Sequence, residues 1–485
     1  MSDIPQEHCG PHWSACLGFT QLFRAFRLAI QPTKLLLAFC GIVLTYGTGR
    51  ILDGMWSTAS RPALIVMGDH ALSELDVFVN AEGGGREAVL AWRETLESAE
   101  GVQRIGLFKL LLTHGRVSIR QTTDAVVAAD CGGLVAAIRF GLMGPAWLFA
   151  MHWFYGVLFF LVSLAIWAVF GGAICRVTAM HATRDEVIGL GESLAFAKRK
   201  FLSFLAAPLM PLAVLVFVGV LLLLGGLVGA IPAVGEIFVG MTFFLALIGG
   251  AVMAFVAIGW LAGFSLTFPT VAVEGSDAFD AVSRSFSYIY ARPWRSAFYA
   301  LVSLAYGAIC LVFVKFFVRI ALFAVHLCVG LTMNLGSPYG AEDTGKLDAM
   351  WQGPLLMGES AFWGGFGDYD LAHLSAFGHF WYYLWIFTVV GVVGAFVVSF
   401  YYSASTLIYL LLRREVDATD LEDVYLEEQP EDESLMPQTP MPESTAPVSP
   451  TPEAPAPEAP APEPAPGPEQ EEPDDTTSPD IGQTP

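Results

Sequence analysis

Long apolar stretches alternate with polar segments along this chain, and that pattern predicts its architecture. Each stretch approaches or exceeds the roughly 20 residues that a helix needs to cross a bilayer core about 30 Å thick. The six stretches are Leu35–Leu52, Ala146–Cys175, Leu202–Ile231, Ile237–Phe268, Phe298–Val318 and Phe380–Leu412. We therefore predict an all-α polytopic membrane protein with about six transmembrane helices in three hairpins.

Basic residues flank alternate ends of these stretches and predict an orientation. Lys and Arg accumulate in cytoplasmic loops because they translocate poorly. They cluster before the first stretch and after the second, fourth and sixth, at Arg24, Arg27, Lys34, Arg176, Arg184, Lys198, Arg199, Lys200, Arg284, Arg292, Arg295, Arg413 and Arg414. We therefore expect a multi-pass protein of the cell inner membrane, with both termini cytoplasmic. The first apolar stretch lacks a small-residue cleavage pattern, so we expect a retained span and not a cleavable signal.

The remaining segments complete the predicted domain organisation. The 53–145 insertion contains helical apolar spacing at Glu87–Ser98 and Gly101–Leu112, which predicts a small helical bundle outside the cytoplasm. A triplet of glycines at 83–85 is interpreted as a hinge. The predicted parts are an N-terminal cytoplasmic segment with an amphipathic helix (1–34), transmembrane helix 1 (35–52), the extracytoplasmic helical insertion (53–145), transmembrane helices 2–5 with their elbows (146–333), an extracytoplasmic Gly- and aromatic-rich loop (334–379), transmembrane helix 6 (380–412) and a tail (413–485).

Charge is concentrated in the tail. The chain is 54% hydrophobic and 15% charged, with a net charge of −21, yet Glu415–Pro485 holds 20 of its 46 acidic residues and no Lys or Arg. A Pro-rich, acidic segment with few apolar residues is predicted to be disordered and extended. It is either a docking arm for a basic cytoplasmic protein or a solubilising tail. The apolar body and acidic tail exclude soluble nucleic-acid binding, which requires a basic surface.

A short amphipathic segment precedes each outward-going span, and we call these three segments elbow helices. Apolar faces with flanking cations are typical of helices that lie in the membrane interface, beside anionic headgroups. The first and third elbows end alike, as Pro32-Thr33-Lys34 and Pro293-Trp294-Arg295. The charged residues predicted to act at the elbows are Arg24, Arg27, Lys34, Lys198, Arg199, Lys200, Asp280, Arg284 and Arg295.

Two of the elbows carry a motif that resembles a known family. The stretches Glu192-Ser193-Leu194-Ala195-Phe196-Ala197 and Asp280-Ala281-Val282-Ser283-Arg284-Ser285-Phe286 are similar to the elbow of the membrane domain of glycerophosphodiester phosphodiesterases. Their surroundings resemble polytopic membrane proteins of planctomycete-type bacteria, and the likeness covers residues 20–50 and 146–414. In those phosphodiesterases the chemistry belongs to a separate soluble barrel domain. The resemblance therefore implies location and fold, and no catalytic residues carry over.

Lys315 and Arg319 are the candidate binding residues. Four residues apart, they share one helix face in an apolar region, where a cation is a candidate contact for an anion or a lipid headgroup. Lys315 lies 20 residues beyond Arg295, which is about 30 Å along a helix. At that depth, snorkelling of both side chains to the outer interface is the favoured interpretation, and binding of an anion or a headgroup is the alternative.

Glycine and proline residues suggest how the spans pack. Gly225, Gly229, Gly259 and Gly263 form two small-xxx-small pairs, which allow helices to approach closely. Pro208 and Pro211 indicate either ordinary membrane-helix packing or a broken helix that lines a transport pathway.

No motif in the chain indicates catalysis, a metal or a cofactor. The donors His8, Cys9, His12 and Cys16 do not follow a standard zinc pattern, and seven scattered cysteines do not suggest a disulfide framework. His152 and His326 are interpreted as packed or interfacial side chains. The favoured hypothesis is a non-enzymatic envelope scaffold or adaptor whose partners are the lipid bilayer and a protein recruited by the tail. The alternative hypothesis is a transporter or channel for a small or lipidic solute.

Overall fold

The protein is an all-α polytopic membrane protein. A computed structural model describes residues 18–57, 61–67, 70–81, 85–96, 103–232, 234–333, 347, 376–419 and 424–425. Several of the long apolar helices pack against the last of them, and the largest cluster of buried side chains lies along it.

The elements follow one another in a simple order. A 3₁₀ turn, Gly18–Phe23, leads into α1 (Arg24–Ala29) and α2 (Pro32–Met55). The insertion then contains β1 (Ala63–Met67), β2 (His70–Ser73), α3 (Glu74–Asn80), α4 (Gly85–Leu96), β3 (Gln103–Arg104), α5 (Leu107–Val127) and α6 (Cys131–Met151). The rest of the bundle consists of α7 (Trp153–Arg184), α8 (Leu190–Arg199), α9 (Phe201–Gly229), α10 (Val234–Glu274), α11 (Ala278–Ala291), α12 (Pro293–Met333) and α13 (Ala376–Val416).

Seven helices in the described part of the chain are long and apolar enough to cross a membrane, where the sequence predicted six. The additional helix is α6, which the sequence analysis placed in the soluble insertion. The second predicted span, Ala146–Cys175, is divided because the chain turns sharply at His152, where φ is −134° and ψ is 47°. Residues 146–151 therefore belong to α6, and α7 begins at Trp153.

Three helices are much longer than a bilayer core. Helices α10, α12 and α13 each contain 41 residues, about 61 Å at 1.5 Å per residue. Helix α12 continues unbroken to Met333, well beyond the end of the predicted span Phe298–Val318.

The insertion is not purely helical. Strand β1 pairs antiparallel with both β2 and β3, in the order β2-β1-β3. The helices predicted at 87–98 and 101–112 correspond to α4 and to the first part of α5. The glycine hinge, the loop 334–379 and the tail fall almost entirely outside the described residues.

The elbow helices are present as α1, α8 and α11. The first and third elbows end just before Pro32 and Pro293, and each proline begins the next helix, where its missing N–H is not needed. Because α7, α10 and α13 finish near these elbows, at Arg184, Glu274 and Val416, we call this side of the bundle the elbow end. The side that carries strands β1, β2 and β3 and helices α3 and α4 is the insertion end.

Lipid-facing surface is most extensive on the α9–α10 hairpin. Large apolar side chains there are strongly exposed, with Leu223 at 76% and Met241 at 75%. Apolar surface of this extent is stable only in an apolar solvent, as expected for membrane helices. Helix α9 also runs unbroken through Pro208 and Pro211, and Trp260 donates a hydrogen bond to the Pro208 carbonyl at 2.9 Å.

Candidate functional site

A half-open cavity of about 510 Å³ lies between α5, α12 and α13, and Ser265 of α10 also contributes to its wall. Most of the wall is aliphatic or aromatic, and Phe396 and Phe400 of α13 form part of it. Hydroxyl groups interrupt the apolar surface, namely those of Ser118, Thr122, Thr123, Ser265, Ser303, Tyr401 and Ser405. The cavity can therefore hold a largely apolar molecule and offer it a few hydrogen bonds.

Ser303 is the hydroxyl that best marks this cavity as a binding site. Its side chain is 7% exposed, and its Oγ atom has no hydrogen-bond partner among the described residues. A buried hydroxyl without a partner costs about 1–3 kcal/mol. An acceptor on a bound molecule would remove that cost.

A second, smaller cavity of about 160 Å³ adjoins the first. Both cavities are lined by Ser265 of α10 and Tyr401 of α13, and the smaller one continues toward Trp167 of α7. The two cavities therefore lie side by side along α13, at two neighbouring helix interfaces.

Charged side chains lie near the cavity at the seam between α5 and α12. Lys315 and Arg319 are half-buried. Lys315 interacts electrostatically with Arg319 and, across the seam, with Arg120 and Asp124 of α5. The structure thus brings the two cations predicted from sequence together with a third cation and one acid. Their role as anion or headgroup contacts stays a prediction.

At the elbow end, Glu274 connects three helices. Its carboxylate lies 2.9 Å from Arg413 Nε and 3.1 Å from Arg284 Nη1, and it accepts a hydrogen bond from Tyr409 at 2.8 Å. Arg284 also contacts Asp280 at 3.0 Å. The motif residues Asp280 and Arg284 therefore attach α11 to the end of α10, and through Glu274 to α13.

A second ion pair at the same end attaches α12 to α13. Arg295 lies 2.8 Å from Glu415, whose other carboxylate oxygen accepts a hydrogen bond from Tyr299 at 2.5 Å. Tyr288 of α11 donates to Asp417. Burial, together with that bond, raises the pKa of Tyr288 above its usual value.

Gly259 and Gly263 of α10 lie at the contact with the third elbow helix, α11. A Cβ atom at Gly259 would lie 2.8 Å from the Phe286 ring, and one at Gly263 would lie 3.7 Å from it. The aromatic end of the elbow motif thus packs directly on this glycine pair. The other predicted pair differs, because Gly229 contacts Val239 whereas Gly225 faces open space in the described part of the chain.

Replacing Gly259 with alanine is expected to destabilise the protein by about 1–3 kcal/mol, since the added methyl group displaces the Phe286 ring. Gly250→Ala on the same helix is the control, because no described atom lies within 4 Å of its added Cβ and alanine favours helix by about 1 kcal/mol. Chemical unfolding in detergent micelles would compare the two. Equal effects would contradict the assigned packing.

The remaining predicted elbow residues occupy different environments. Arg24 lies 3.6 Å from Asp185, and Lys200 donates a hydrogen bond to the Gly275 carbonyl at 2.5 Å. Lys34 is fully buried, and its ammonium group has no hydrogen-bond partner among the described residues. Lys34 thus lies inside the protein, away from the headgroup position expected from its sequence. The exposed cations of the set are Arg27, Lys198 and Arg199.

A two-residue segment beyond α13 is fixed at the elbow end. Tyr425 donates its backbone N–H to the Val273 carbonyl at 2.9 Å, and its own carbonyl accepts from Arg176 at 2.8 Å. Gly275 has a φ of +63°, and a Cβ atom there would lie 2.4 Å from the Tyr425 ring. Glycine is therefore required both for the backbone conformation and for this contact.

At the insertion end, the fully buried Glu74 is the centre of a second charged network. Arg93 donates to its two carboxylate oxygens at 2.8 and 3.1 Å, and Trp147 Nε1 donates at 3.2 Å. His152 Nε2 lies 3.4 Å away. Burial alone would raise the pKa of Glu74, but the hydrogen bonds from His152 and Arg93 and the Arg93 charge outweigh it and lower that pKa.

Asp53 connects the first long helix to the insertion. Its carboxylate accepts from the backbone N–H groups of Phe108 and Lys109 at 3.0 and 3.3 Å, and from Tyr155 Oη at 2.9 Å. An acid at these positions caps the start of α5, where backbone donors lack helical partners.

On α5 itself, burial lowers the pKa of His114.

Sequence reasoning missed these networks because their members lie far apart in the chain. Glu74 and Trp147 are separated by 73 positions, and neither belongs to a local motif. The available signal was indirect: Asp53 and Glu74 are acids directly beside apolar residues. The donors His8, Cys9, His12 and Cys16 lie outside the described residues, and no group of metal-ligating side chains occurs within the described part.

Comparison with known proteins does not add to this picture. No family model, no curated protein and no solved structure is significantly similar to this chain. The resemblance of the elbow motifs to the phosphodiesterase membrane domain therefore stays a prediction.

Proposed function

We propose that this protein is a non-enzymatic membrane protein that binds a lipid-like solute within the bilayer and transports it. The observation that carries the proposal is the 510 Å³ cavity between α5, α12 and α13. Ligand cavities of about 300–1,000 Å³ with mostly apolar walls and a few polar groups are typical of small-molecule sites.

The chemistry of the wall supports a hydrocarbon ligand over a polar one. Among the described residues, the wall includes no Asp, Glu, His, Lys or Arg. Serine and threonine hydroxyls in helices can bond to the carbonyl three or four residues earlier, as Thr123 does with Ile119 at 2.7 Å. A wall of this kind accepts an acyl or isoprenoid chain without leaving many polar groups unpaired.

The proposed setting is the cell inner membrane, with the elbow end facing the cytoplasm. The basic clusters beside the elbows support that orientation through the preference of Lys and Arg for cytoplasmic loops. The lipid bilayer is then both the solvent and the source of the ligand.

Photo-crosslinking with a diazirine-bearing fatty acid in proteoliposomes would test the proposal. We expect labelling of α13 peptides that contain Phe396 or Phe400. Labelling should decrease at least fivefold in the cavity-filling double variant Ala300→Phe/Ser303→Phe. The matched control is Ala251→Phe, an exposed position on α10 that does not line the cavity. Labelling that is equal in the wild type and the filled variant would contradict a binding site in this cavity.

A scaffold or adaptor role is the second candidate. The ion pairs that fix the elbows, together with the acidic segment after Tyr425, favour a rigid platform with a recruiting arm. Affinity purification of the full chain and of a chain ending at residue 426 would test it. A cytoplasmic partner captured only by the full chain is expected if the tail recruits one.

A further inference from the structure

We propose that Ser265, Ser303 and Ser405 lie at one depth in the cavity wall and select an uncharged lipid by its hydroxyl or carbonyl group. We call these three residues the serine level. The inference rests on the proposed function, because it names the class of lipid that the cavity binds. That class is the uncharged amphiphiles, such as long-chain alcohols and diacylglycerols.

An ion pair at the elbow end fixes the depth of two of these serines. Arg295, near the start of α12, lies 2.8 Å from Glu415, near the end of α13. Ser303 follows Arg295 by eight residues, about 12 Å along the helix. Ser405 precedes Glu415 by ten residues, about 15 Å. Because the two helices run in opposite directions from this ion pair, both serines lie at a similar distance from the elbow end.

A second contact between α12 and α13 gives the same alignment. A Cβ atom at Gly307 would lie 2.6 Å from the Phe400 ring. Ser303 comes four residues before Gly307, and Ala404 comes four residues after Phe400. Both steps lead toward the elbow end by about 6 Å, so Ser303 lies opposite Ala404 and Ser405.

Helix α10 brings the third serine to this depth. Glu274, at the end of α10, lies 2.9 Å from Arg413 of α13, and both helices finish at the elbow end. Ser265 precedes Glu274 by nine residues, about 14 Å, and Ser405 precedes Arg413 by eight, about 12 Å. Since all three serines line the cavity, hydroxyl groups from three helices surround one depth of it.

Ser303 needs a partner that the described residues do not supply. Its side chain is 7% exposed, and its Oγ atom has no hydrogen-bond partner among them. Thr123 lines the same cavity but donates its hydroxyl to the Ile119 carbonyl at 2.7 Å. A serine hydroxyl can donate to a ligand carbonyl, or exchange a hydrogen bond with a ligand hydroxyl. The serine level therefore offers the kind of polar contact that fixes the orientation of a ligand in an apolar site.

The position of the serine level selects an uncharged polar group. It lies about 12–15 Å inside the ion pairs of the elbow end, and the described cavity wall contains no Asp, Glu, His, Lys or Arg. Burying a charge without a counter-charge is far more costly than burying a hydroxyl or carbonyl that gains a hydrogen bond. A phosphate headgroup is therefore rejected, and a fatty acid meets the condition in its protonated form.

The walls of α12 and α13 beyond the serine level accept the hydrocarbon chain. Leu311 lies eight residues beyond Ser303 toward the insertion end, and Phe396 lies nine residues from Ser405 in the same direction. These intervals correspond to about 12–14 Å along the two helices. The bound lipid thus has its polar group toward the elbow end and its chain toward the insertion end.

Photo-crosslinking of the full chain in proteoliposomes would test the inference with three probes that share one diazirine-bearing chain. The chain ends in a hydroxyl, a methyl or a phosphate group, and each probe is mixed into the lipid before reconstitution. We expect the alcohol to label α13 peptides about three- to tenfold more than the hydrocarbon does, as for hydrogen bonds of ordinary strength. The alkyl phosphate should label them at least about tenfold less than the alcohol.

Removing the hydroxyl groups should remove the preference and leave the cavity. In Ser303→Ala/Ser405→Ala, labelling by the alcohol should fall to that of the hydrocarbon, while labelling by the hydrocarbon stays unchanged. Thr123→Val is the matched control, because the Thr123 hydroxyl lines the same wall but already donates to Ile119. This control should retain the preference for the alcohol.

Three results would overturn the inference. The first is a preference for the alcohol that persists in Ser303→Ala/Ser405→Ala. The second is an equal loss of preference in Thr123→Val, which would assign recognition to the polarity of the whole wall. The third is stronger labelling by the alkyl phosphate than by the alcohol.

The outcomes also distinguish this inference from the proposed function. Equal labelling by the alcohol and the hydrocarbon, blocked by Ala300→Phe/Ser303→Phe, would retain the cavity as a lipid site and reject the role of the serine level. Labelling that does not depend on the cavity with any of the three probes would reject the proposed function itself.

Discussion

Replacing Glu74 with glutamine is expected to destabilise the protein by about 3–5 kcal/mol, the cost of removing one partner from a buried ion pair. The carboxylate is completely buried and accepts hydrogen bonds from both Arg93 and Trp147. An amide has one acceptor oxygen and an NH₂ donor in place of the other, so Arg93 Nε, which donates to the second carboxylate oxygen, loses its acceptor. The partial exposure of Arg93, 37%, places the effect toward the lower end of this range.

Chemical unfolding in detergent micelles, followed by the fluorescence of the 12 tryptophans, would measure this effect. Glu94→Gln is the matched control, because Glu94 is exposed on α4, the helix that carries Arg93. A change of less than about 0.5 kcal/mol is expected there, as for most surface substitutions. If the two variants unfolded at the same denaturant concentration, the network around Glu74 would not contribute to stability.

Stability should also decrease in acid because of the same carboxylate. The pKa of Glu74 is lower in the folded protein than its ordinary value of 4.5. The folded state therefore binds the proton less readily than the unfolded state does, and the contribution is fully present above about pH 4.5. It is lost as pH falls through the lower folded pKa. In Glu74→Gln this part of the pH dependence should be absent, while Glu94→Gln should retain it.

Replacing Glu274 with glutamine is expected to cost a similar amount, about 3–5 kcal/mol, at the other end of the bundle. The side chain of Glu274 is 11% exposed and that of Arg413 is 9% exposed, so the substitution removes the charge of a carboxylate that lies 2.9 Å from a largely buried cation. Tyr409 and Arg284 lose part of their shared acceptor at the same time. Because these contacts join α10, α11 and α13, the loss affects the relative positions of all three helices.

The double variant Glu274→Gln/Arg413→Met distinguishes a structural ion pair from a general effect of substitution. Removing both charges should recover a large part of the lost stability, since replacing a whole buried pair by apolar groups is often neutral. Glu236→Gln at the exposed start of α10 is the control, and chemical unfolding would compare all of these variants. Additive effects of Glu274→Gln and Arg413→Met would show that the two side chains do not interact.

The apolar periodicity of the chain predicted most of the fold, for a physical reason. In lipid, each span must satisfy its own backbone hydrogen bonds, so a long apolar stretch is a helix whatever its neighbours are. Helix α6 was missed because Arg139 and Pro145 interrupt its apolar pattern, and the break at His152 is not itself a glycine or a proline. The strands of the insertion were missed because they are short, and β3 contains only two residues.

The candidate site could be predicted only in part. Lys315 and Arg319 stand out because cations are rare in apolar sequence. Arg120 and Asp124 lie on a helix of mixed composition, so their significance depends on tertiary contact. The cavity itself has no sequence signature, since its volume depends on how α5, α12 and α13 pack together.

The sequence predicted where two helices approach closely, but it did not predict which helix is the partner. The spacing of Gly259 and Gly263 indicated a close approach between helices, and the structure has one at this pair. The identity of the partner, Phe286 of α11, could not be deduced, because a small-residue pair shows only that space exists for another element.

The ion pairs of Glu274 and Glu415 join α10 and α12 to the last turns of α13 at the same level, at one end of the cavity walls. The distance between these helices can therefore change mainly by pivoting about that level, so that displacement increases toward the far leaflet. Under the proposed function, a lipid molecule that enters sideways would do so from that leaflet. The long unbroken helices would then act as levers that convert its arrival into a small rotation at the elbow end.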